Sequence, residues 1–341
     1  MSPAAWPRND KSDERLLLID PRARRFGDAR IRDLPGQVRA GDLLVLNDAA
    51  TLPASLAATS PRGRAVEVRL IATREDGAWS VAMLGEGDWR TPTEHRPPPD
   101  PLAPGDVVSF AEGLRATVER VSSISTRLLD VRFDRTGAAL WRALYRQGRP
   151  IQYAYLRGPL DLWHVQTAYA SRPWAAEMPS AGRPLSWSVL LEVIRRRARI
   201  ATVTHAAGLS STGDAALDAA LPLTERFEIP EAPARAVERT RAQRGRVIAV
   251  GTSVVRALEG CAALHGRVVA GTGETDLLLS EGFRRRVVDG LLTGLHEPTA
   301  SHWSLLAAFA PRSLLEAAYA HAESEGYLAH EFGDSSLILA A

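Results

Sequence analysis

Cysteine occurs once, at Cys261, so the chain can form no internal disulfide and no zinc or iron–sulfur site built on several thiolates. Long apolar runs are missing too, none approaching the roughly 20 residues of a membrane-crossing helix. The opening "MSPAAWPRNDKSDER" lacks the apolar centre of a secretion signal. These absences lead us to expect a cytoplasmic protein with no membrane partner. Lysine is nearly absent as well: Lys11 is the only one, so arginine carries nearly all the positive charge within a formal net charge of +2. Arginine's planar fork suits phosphates and carboxylates, although a gene rich in G and C produces the same usage. The near-zero balance does not predict nucleic-acid binding; the clusters "RRRAR" (195–199) and "RRR" (284–286) leave it open, although they read more readily as solvated helix faces.

What is present is ordinary globular composition, 45% hydrophobic and 24% charged over 341 residues, a length that favours two domains over one. "ERLLLID" and "DLLVLND" read as short buried strands. From about Gly63 to Phe133 the texture is β: "AVEVRLIA", "AWSVAML", "DVVSF", "LRATVERV" and "LLDVRF", with Asp76-Gly77 a hairpin signal and "RTPTEHRPPPDPLAPGD" an exposed loop. Beyond Arg135 helices and strands alternate, including "RVIAVGTSVVRALEGCAALHG" as strand, glycine turn and helix. The expected architecture is an α/β body (1–60 and 136–341) interrupted by an inserted small antiparallel β-barrel domain (61–135), because the N-terminal strands need partners in the C-terminal half.

The local pattern with most chemical content is "VIAVGTSVVRALEG" (247–260). A glycine and two hydroxyls between a buried strand and a helix offer free backbone N–H groups and the positive end of a helix to phosphate, carboxylate or a nucleoside. The competing reading is that Thr252 or Ser253 merely caps the helix. "GTGET" (271–275) lacks the third glycine of a dinucleotide fingerprint. His296 and His302 in "LHEPTASHW" are separated by Pro298, which prevents one regular helix, so no metal site is expected there. The turn in "EMPSAGRPLSW" (177–187) adds a second bare stretch of backbone. Taken alone, the residues support an α/β enzyme with an anionic or nucleoside-like ligand and name no reaction.

In order along the chain, "RLLLID", "GDLLVLNDAATLPASL", "AVEVRL", "MPSAG", "VIAVGTSVVRALEG", "GETDLLLSEGFRRRVVDGLLTGLHEP" and "YLAHEFGDSSLIL" resemble the S-adenosylmethionine:tRNA ribosyltransferase-isomerases of queuosine biosynthesis, almost end to end. The resemblance implies transfer of the ribosyl part of S-adenosylmethionine to the aminomethyl group of a 7-deazaguanine in tRNA, with release of methionine and adenine. S-adenosylmethionine would be substrate, with no metal. The chain departs from the family pattern at several polar places. Arg183, Pro184 and Leu185 follow the turn where the family has leucine, histidine and phenylalanine. Ala206 and Leu223 stand where it has histidines, with His205 one place early, and Ala50 and Ser55 where it has arginines.

The resemblance makes Pro179, Ser180, Ala181, Gly182, Gly251, Thr252, Ser253 and Arg256 the expected S-adenosylmethionine contacts, with Arg256 supporting an anionic group. His296, His205, Glu225 and Asp48 are the acid/base candidates, His296 first; its bland alternative is a hydrogen bond at a helix start. Asn47, Asp48, Glu225 and Asp334 also stay in register and read either as site or as turn residues. Two further functions remain open at this point: a paralogue that uses S-adenosylmethionine on a small-molecule acceptor, and a binding protein that keeps the fold without the chemistry.

Overall fold

A computed structural model describes residues 1–296 and 301–340; Glu297 and Pro298 of "LHEP" and the side chain of His302 lie outside the described residues. The chain opens with β1 (Arg15–Asp20), β2 (Arg25–Arg30), β3 (Leu43–Asn47) and a short β4 (Ala49–Thr51). Six strands follow: β5 (Ser55–Thr59), β6 (Ala65–Thr73), β7 (Trp79–Leu84), β8 (Val107–Phe110), β9 (Arg115–Val121) and β10 (Leu128–Phe133). Then come α1 (Gly137–Gln147), β11 (Arg172–Ala175), α2 (Trp187–Arg195), β12 (Arg199–His205), α3 (Ala215–Ala219), β13 (Glu225–Ile229), α4 (Glu231–Ala242), β14 (Val247–Val250) and α5 (Thr252–His265). The chain closes with β15 (Gly271–Thr275), β16 (Gly290–Gly294), α6 (Ser301–Leu306), α7 (Arg312–Ser324) and β17 (Ser335–Leu339).

The body is a nine-stranded sheet in the order β15-β13-β12-β3-β14-β16-β17-β1-β2. Its centre, β12-β3-β14-β16, is parallel. Successive side chains of a strand point to opposite faces, and here both faces are covered. Leu43, Val45, Val247 and Ala249 meet α4, α5 and α7 on one side; Leu44, Leu46, Ile248 and Val250 meet α2 and the 3-10 segment Ile31–Gly36 on the other. Double coverage explains why these strands read as continuous apolar runs. Each buried valine or leucine contributes about 1.5–3 kcal/mol.

Strands β5 to β10 close an antiparallel barrel in the order β10-β7-β6-β5-β8-β9. Gly77, at φ +83, makes the β6–β7 turn. Strand β5 is a sixth barrel strand beyond the five legible in the sequence; "SLAAT" is short and small, and its alternating burial shows only once it is paired. The proline-rich loop is largely exposed, as expected, but Thr93, Arg96 and Asp100 within it are buried. Arg96 is 3% exposed and pairs with Glu67, which β6 places beside Arg69 on the outer face of the barrel, so the loop is pinned there by a counter-charge. The barrel meets the body through Arg127, which donates to the Thr212 carbonyl at 2.9 Å.

Candidate functional site

Because β3, β12 and β14 are parallel, their carboxyl ends share one rim of the sheet, the usual place for a ligand in open α/β folds. Asn47, buried at the end of β3, organises that rim. Its Oδ1 accepts from the backbone N–H of His205 (2.9 Å) and of Ala49 (3.0 Å), while Nδ2 donates to the His205 carbonyl (3.0 Å) and reaches Ser253 Oγ (3.4 Å). One amide thus locks β3, β12 and the start of α5 together.

At the next strand the chain turns at Gly251, whose φ of +96 lies in the region glycine tolerates best. Gly251 precedes α5 and no side chain caps that helix, so Thr252 and Ser253 are not the caps the bland reading made them. Both line a cavity of about 500 Å³ together with Ser180, Glu225, Arg256 and His296, a size suited to a small-molecule substrate. The turn Ser180–Gly182 abuts this one: a Cβ built on Gly251 would stand 3.6 Å from Ala181 Cβ. Ser180 reaches the cavity wall, whereas Pro179, Ala181 and Gly182 do not line it and serve as its backing. Gly182 sits so close beneath Tyr169 that a Cβ there would lie 2.0 Å from the phenol oxygen.

Arg183, which takes the place after the turn, is buried and spent on structure. Its Nη1 is 2.9 Å from Glu14 Oε1, both side chains being 2% exposed, its Nε donates to the His164 carbonyl at 3.1 Å, and its guanidinium lies over the Phe332 ring. Burial pushes the Glu14 carboxyl up to about 7, against the pull of Arg183.

Glu225, at the start of β13, is the charged centre of the wall. It pairs with Arg256 and accepts from the Gly208 N–H at 2.8 Å. Burial nevertheless pushes its carboxyl above the ordinary range. Arg256 was expected to support a ligand anion; its fork instead holds Glu225 and the carbonyls of Leu277 (3.1 Å) and Thr275 (3.3 Å). His205 lies wholly buried behind Glu225, 3.4 Å from Oε2 but too poorly aligned for a hydrogen bond, and does not line the cavity. Burial, and then Arg256, lowers its imidazole to about 3, so it is neutral. Asp48 does not line the cavity either; half-buried, it accepts from Thr204 Oγ1 at 2.6 Å. Asp334, fully buried, accepts from the N–H groups of Arg15 and Leu328 at 2.8 Å each, which makes it a turn residue. His296 follows β16 and does line the cavity; Gly294 gives it room, since a Cβ there would be 3.3 Å from His296 Nε2.

Sequence reasoning missed part of the wall. Tyr153 and Ser210 share the Glu177 carboxyl, whose protonation burial favours, and burial raises the Tyr153 phenol well above its ordinary range. Tyr155, His330 and Glu331 complete that side, the His330 ring tilted on Tyr155 with centroids 4.9 Å apart. The only signal was Glu177's place at the head of the "EMPSAG" turn. The cluster at 195–199 sits at the opposite rim, since Arg199 begins the strand that His205 ends. Among the described residues no group of three or more His, Cys, Asp or Glu side chains is placed to hold a metal, and no helix is long and apolar enough to cross a membrane.

The fold and site define a class: an α/β protein with an inserted barrel and, at the carboxyl ends of its parallel strands, a cavity with acidic and hydroxyl side chains set among apolar ones. Comparison with known proteins narrows it. The family model described as queuosine biosynthesis protein matches residues 2–338, and the chain belongs to that family. It is 35% identical to the S-adenosylmethionine:tRNA ribosyltransferase-isomerase of Gloeobacter violaceus over 98% of this chain and 92% of that one. The enzyme of the same name from Thermus thermophilus is 36% identical over 92% of this chain and 89% of its own. The crystal structure of the S-adenosylmethionine tRNA ribosyltransferase of Thermotoga maritima shares the fold, with a TM-score of 0.54 and 23% identity over 99% of this chain and 96% of that one.

Proposed function

We propose that this protein is an S-adenosylmethionine:tRNA ribosyltransferase-isomerase, which moves the ribosyl part of S-adenosylmethionine to the aminomethyl group of a 7-deazaguanine in tRNA and releases methionine and adenine. The observation that carries the reading is convergence: Ser180, Glu225, Thr252, Ser253, Arg256 and His296, drawn from four distant segments, line one cavity. The names of the relatives support tRNA as acceptor; nothing among them supports a small-molecule acceptor.

In this reading residues 1–54 and 136–341 carry the chemistry, and the inserted domain begins with β5 at Ser55, ahead of the expected 61–135. Ser180, Thr252, Ser253 and the backbone N–H groups of the Gly251 turn hold the nucleoside part of S-adenosylmethionine. The sulfonium acidifies the neighbouring carbon, and His296 takes the proton from it, a task for which a neutral imidazole is suited near pH 7. Arg256 fixes Glu225 on the wall, while His205 and Asp48 act by supporting that wall. The remaining work is positioning, since a bound near-attack geometry supplies much of the acceleration.

The test is incubation of the purified protein with S-adenosylmethionine, with and without tRNA carrying 7-aminomethyl-7-deazaguanine, read by mass spectrometry. Adenine, methionine and a tRNA mass increase that all require that base are expected. Absence of all three with a correctly folded protein would sink the proposal.

A further inference from the structure

The cavity contains one carboxyl group that neither the internal hydrogen bonds nor the roles above account for. Glu331 lines it, and its Oε2 is buried without a hydrogen-bond partner among the described residues. Its segment is held firmly. His330, just before it, takes a φ of +70, a conformation rare outside glycine, and its N–H bonds the Leu295 carbonyl at 3.1 Å, next to His296. Asp334, three residues on, ties the segment's other end to Leu328 and to Arg8. A strained, doubly anchored backbone that delivers an unsatisfied carboxyl to a cavity is costly for the free protein, and a ligand donor would recover that cost.

Charge says what kind of donor. Glu177 and Glu225 stand on the same wall, and Arg256 is already consumed by Glu225. The wall therefore offers acceptors in excess of cations. Both substrates of the proposed reaction carry a positive amino group, the methionine ammonium of S-adenosylmethionine and the aminomethyl ammonium of the base. We propose that Glu331 is a further substrate-binding residue, its free oxygen accepting a hydrogen bond from a substrate ammonium after a turn of its terminal torsion, which is soft. The inference rests on the reaction proposed above.

Burial pushes the Glu331 carboxyl up to about 7 in the free protein. The neutral acid dominates below that pH and the carboxylate above it, so affinity for the cation rises as pH passes upward through about 7. Other titratable groups face the same space: Glu177, Asp218 and Glu225, the imidazoles of His296 and His330, and the phenols of Tyr153 and Tyr155. All are common to the parent and to Glu331→Gln, so the difference between the two pH profiles reads Glu331 alone.

The experiment measures kcat/KM for each substrate and the Kd of S-adenosylmethionine by calorimetry, at pH 6 to 8, in the parent, Glu331→Gln and Glu331→Asp. Glu331→Gln should lose about 10- to 100-fold at pH 8 for one substrate, little at pH 6, and Glu331→Asp should recover part of it. A weakened Kd for S-adenosylmethionine assigns the methionine ammonium; a loss confined to tRNA assigns the aminomethyl group. Melting temperature at pH 8 should be unchanged or higher in Glu331→Gln, because an unpaired buried carboxylate has been removed; a structural role would lower it. An active parent with both substrates within twofold in Glu331→Gln and superimposable pH profiles overturns the proposal. A parent inactive with any tRNA overturns the reaction instead, and the calorimetric pH profile then still decides Glu331: no pH dependence and no change in the variant ends it.

Discussion

Replacing Arg183 by methionine should produce a destabilisation that depends on pH in a particular direction. Arg183 and Glu14 are both 2% exposed and 2.9 Å apart, so the variant leaves a buried carboxyl without its counter-charge. Breaking one side of such a pair costs about 3–5 kcal/mol. The sign follows from the carboxyl. Burial already raises Glu14 to about 7 in the intact protein, above its unfolded value, so its folded form prefers the proton and loses stability as pH rises through 7. Without Arg183 the folded value climbs further. Below about pH 6 Glu14 is protonated in both proteins, and only the bond to the His164 carbonyl and the Phe332 contact are lost, about 1–2 kcal/mol. Near pH 8.5 the full cost appears. Urea melts at pH 5.5, 7 and 8.5 measure it, and Glu14→Gln combined with Arg183→Met should recover most of the high-pH loss. An equal penalty at all three pH values, or no recovery in the double variant, would show that the charge of Glu14 is not what Arg183 satisfies.

Gly182→Ala should cost about 1–3 kcal/mol and raise KM for S-adenosylmethionine, because the new methyl meets Tyr169 Oη; adding Tyr169→Phe should return part of both in thermal melts and kinetics. Asn47→Ala should lower stability by about 2–4 kcal/mol by stranding the His205 backbone groups, and hydrogen exchange at the ends of β3 and β12 should rise with it. His296→Gln should reduce kcat by about 100-fold or more while the Kd of S-adenosylmethionine stays within a few-fold; an unchanged kcat would remove His296 from the acid/base role.

Strand and helix content was legible wherever local pattern and tertiary burial agree. The run Val247–Val250 and the turn at Gly251 are examples, because a doubly covered strand must be apolar and a φ of +96 asks for glycine. Strand β5 was not legible, since the alternation of its five residues, all but Leu56 small, exists only against β6 and β8. Arg96 was hidden for a related reason: nothing local says that Glu67, on the outer face of the barrel, is buried under the loop. At the site, residues within recognisable turns were found, whereas Tyr153, Tyr155, Glu177 and Glu331 reach the cavity by tertiary paths with no spacing rule to betray them. Arg256 was found but misread, because a sequence does not show which charges are already spent on one another.

That distinction also bears on which charged residues of the site are free to meet a ligand. Arg183 takes the place after the turn and closes an ion pair with Glu14; His205 is neutral and sealed behind Glu225; Arg256 is bound to Glu225. Arg183 and Arg256 are internally accounted for, and His205, though its ring nitrogens are unpartnered, does not reach the cavity, so the contribution of all three is to hold the wall in place. A ligand gains most from groups whose hydrogen-bonding capacity is unmet in the free protein, since satisfying them recovers a cost already present. An unmet atom is not enough by itself: Tyr169 Oη and Thr167 Oγ1 are buried and unpartnered but do not line the cavity. Glu331 and Tyr155 meet both conditions, an unpaired oxygen and a place on the cavity wall. Substrate recognition in this chain should therefore follow the unspent groups of the cavity more closely than the positions its family motif marks.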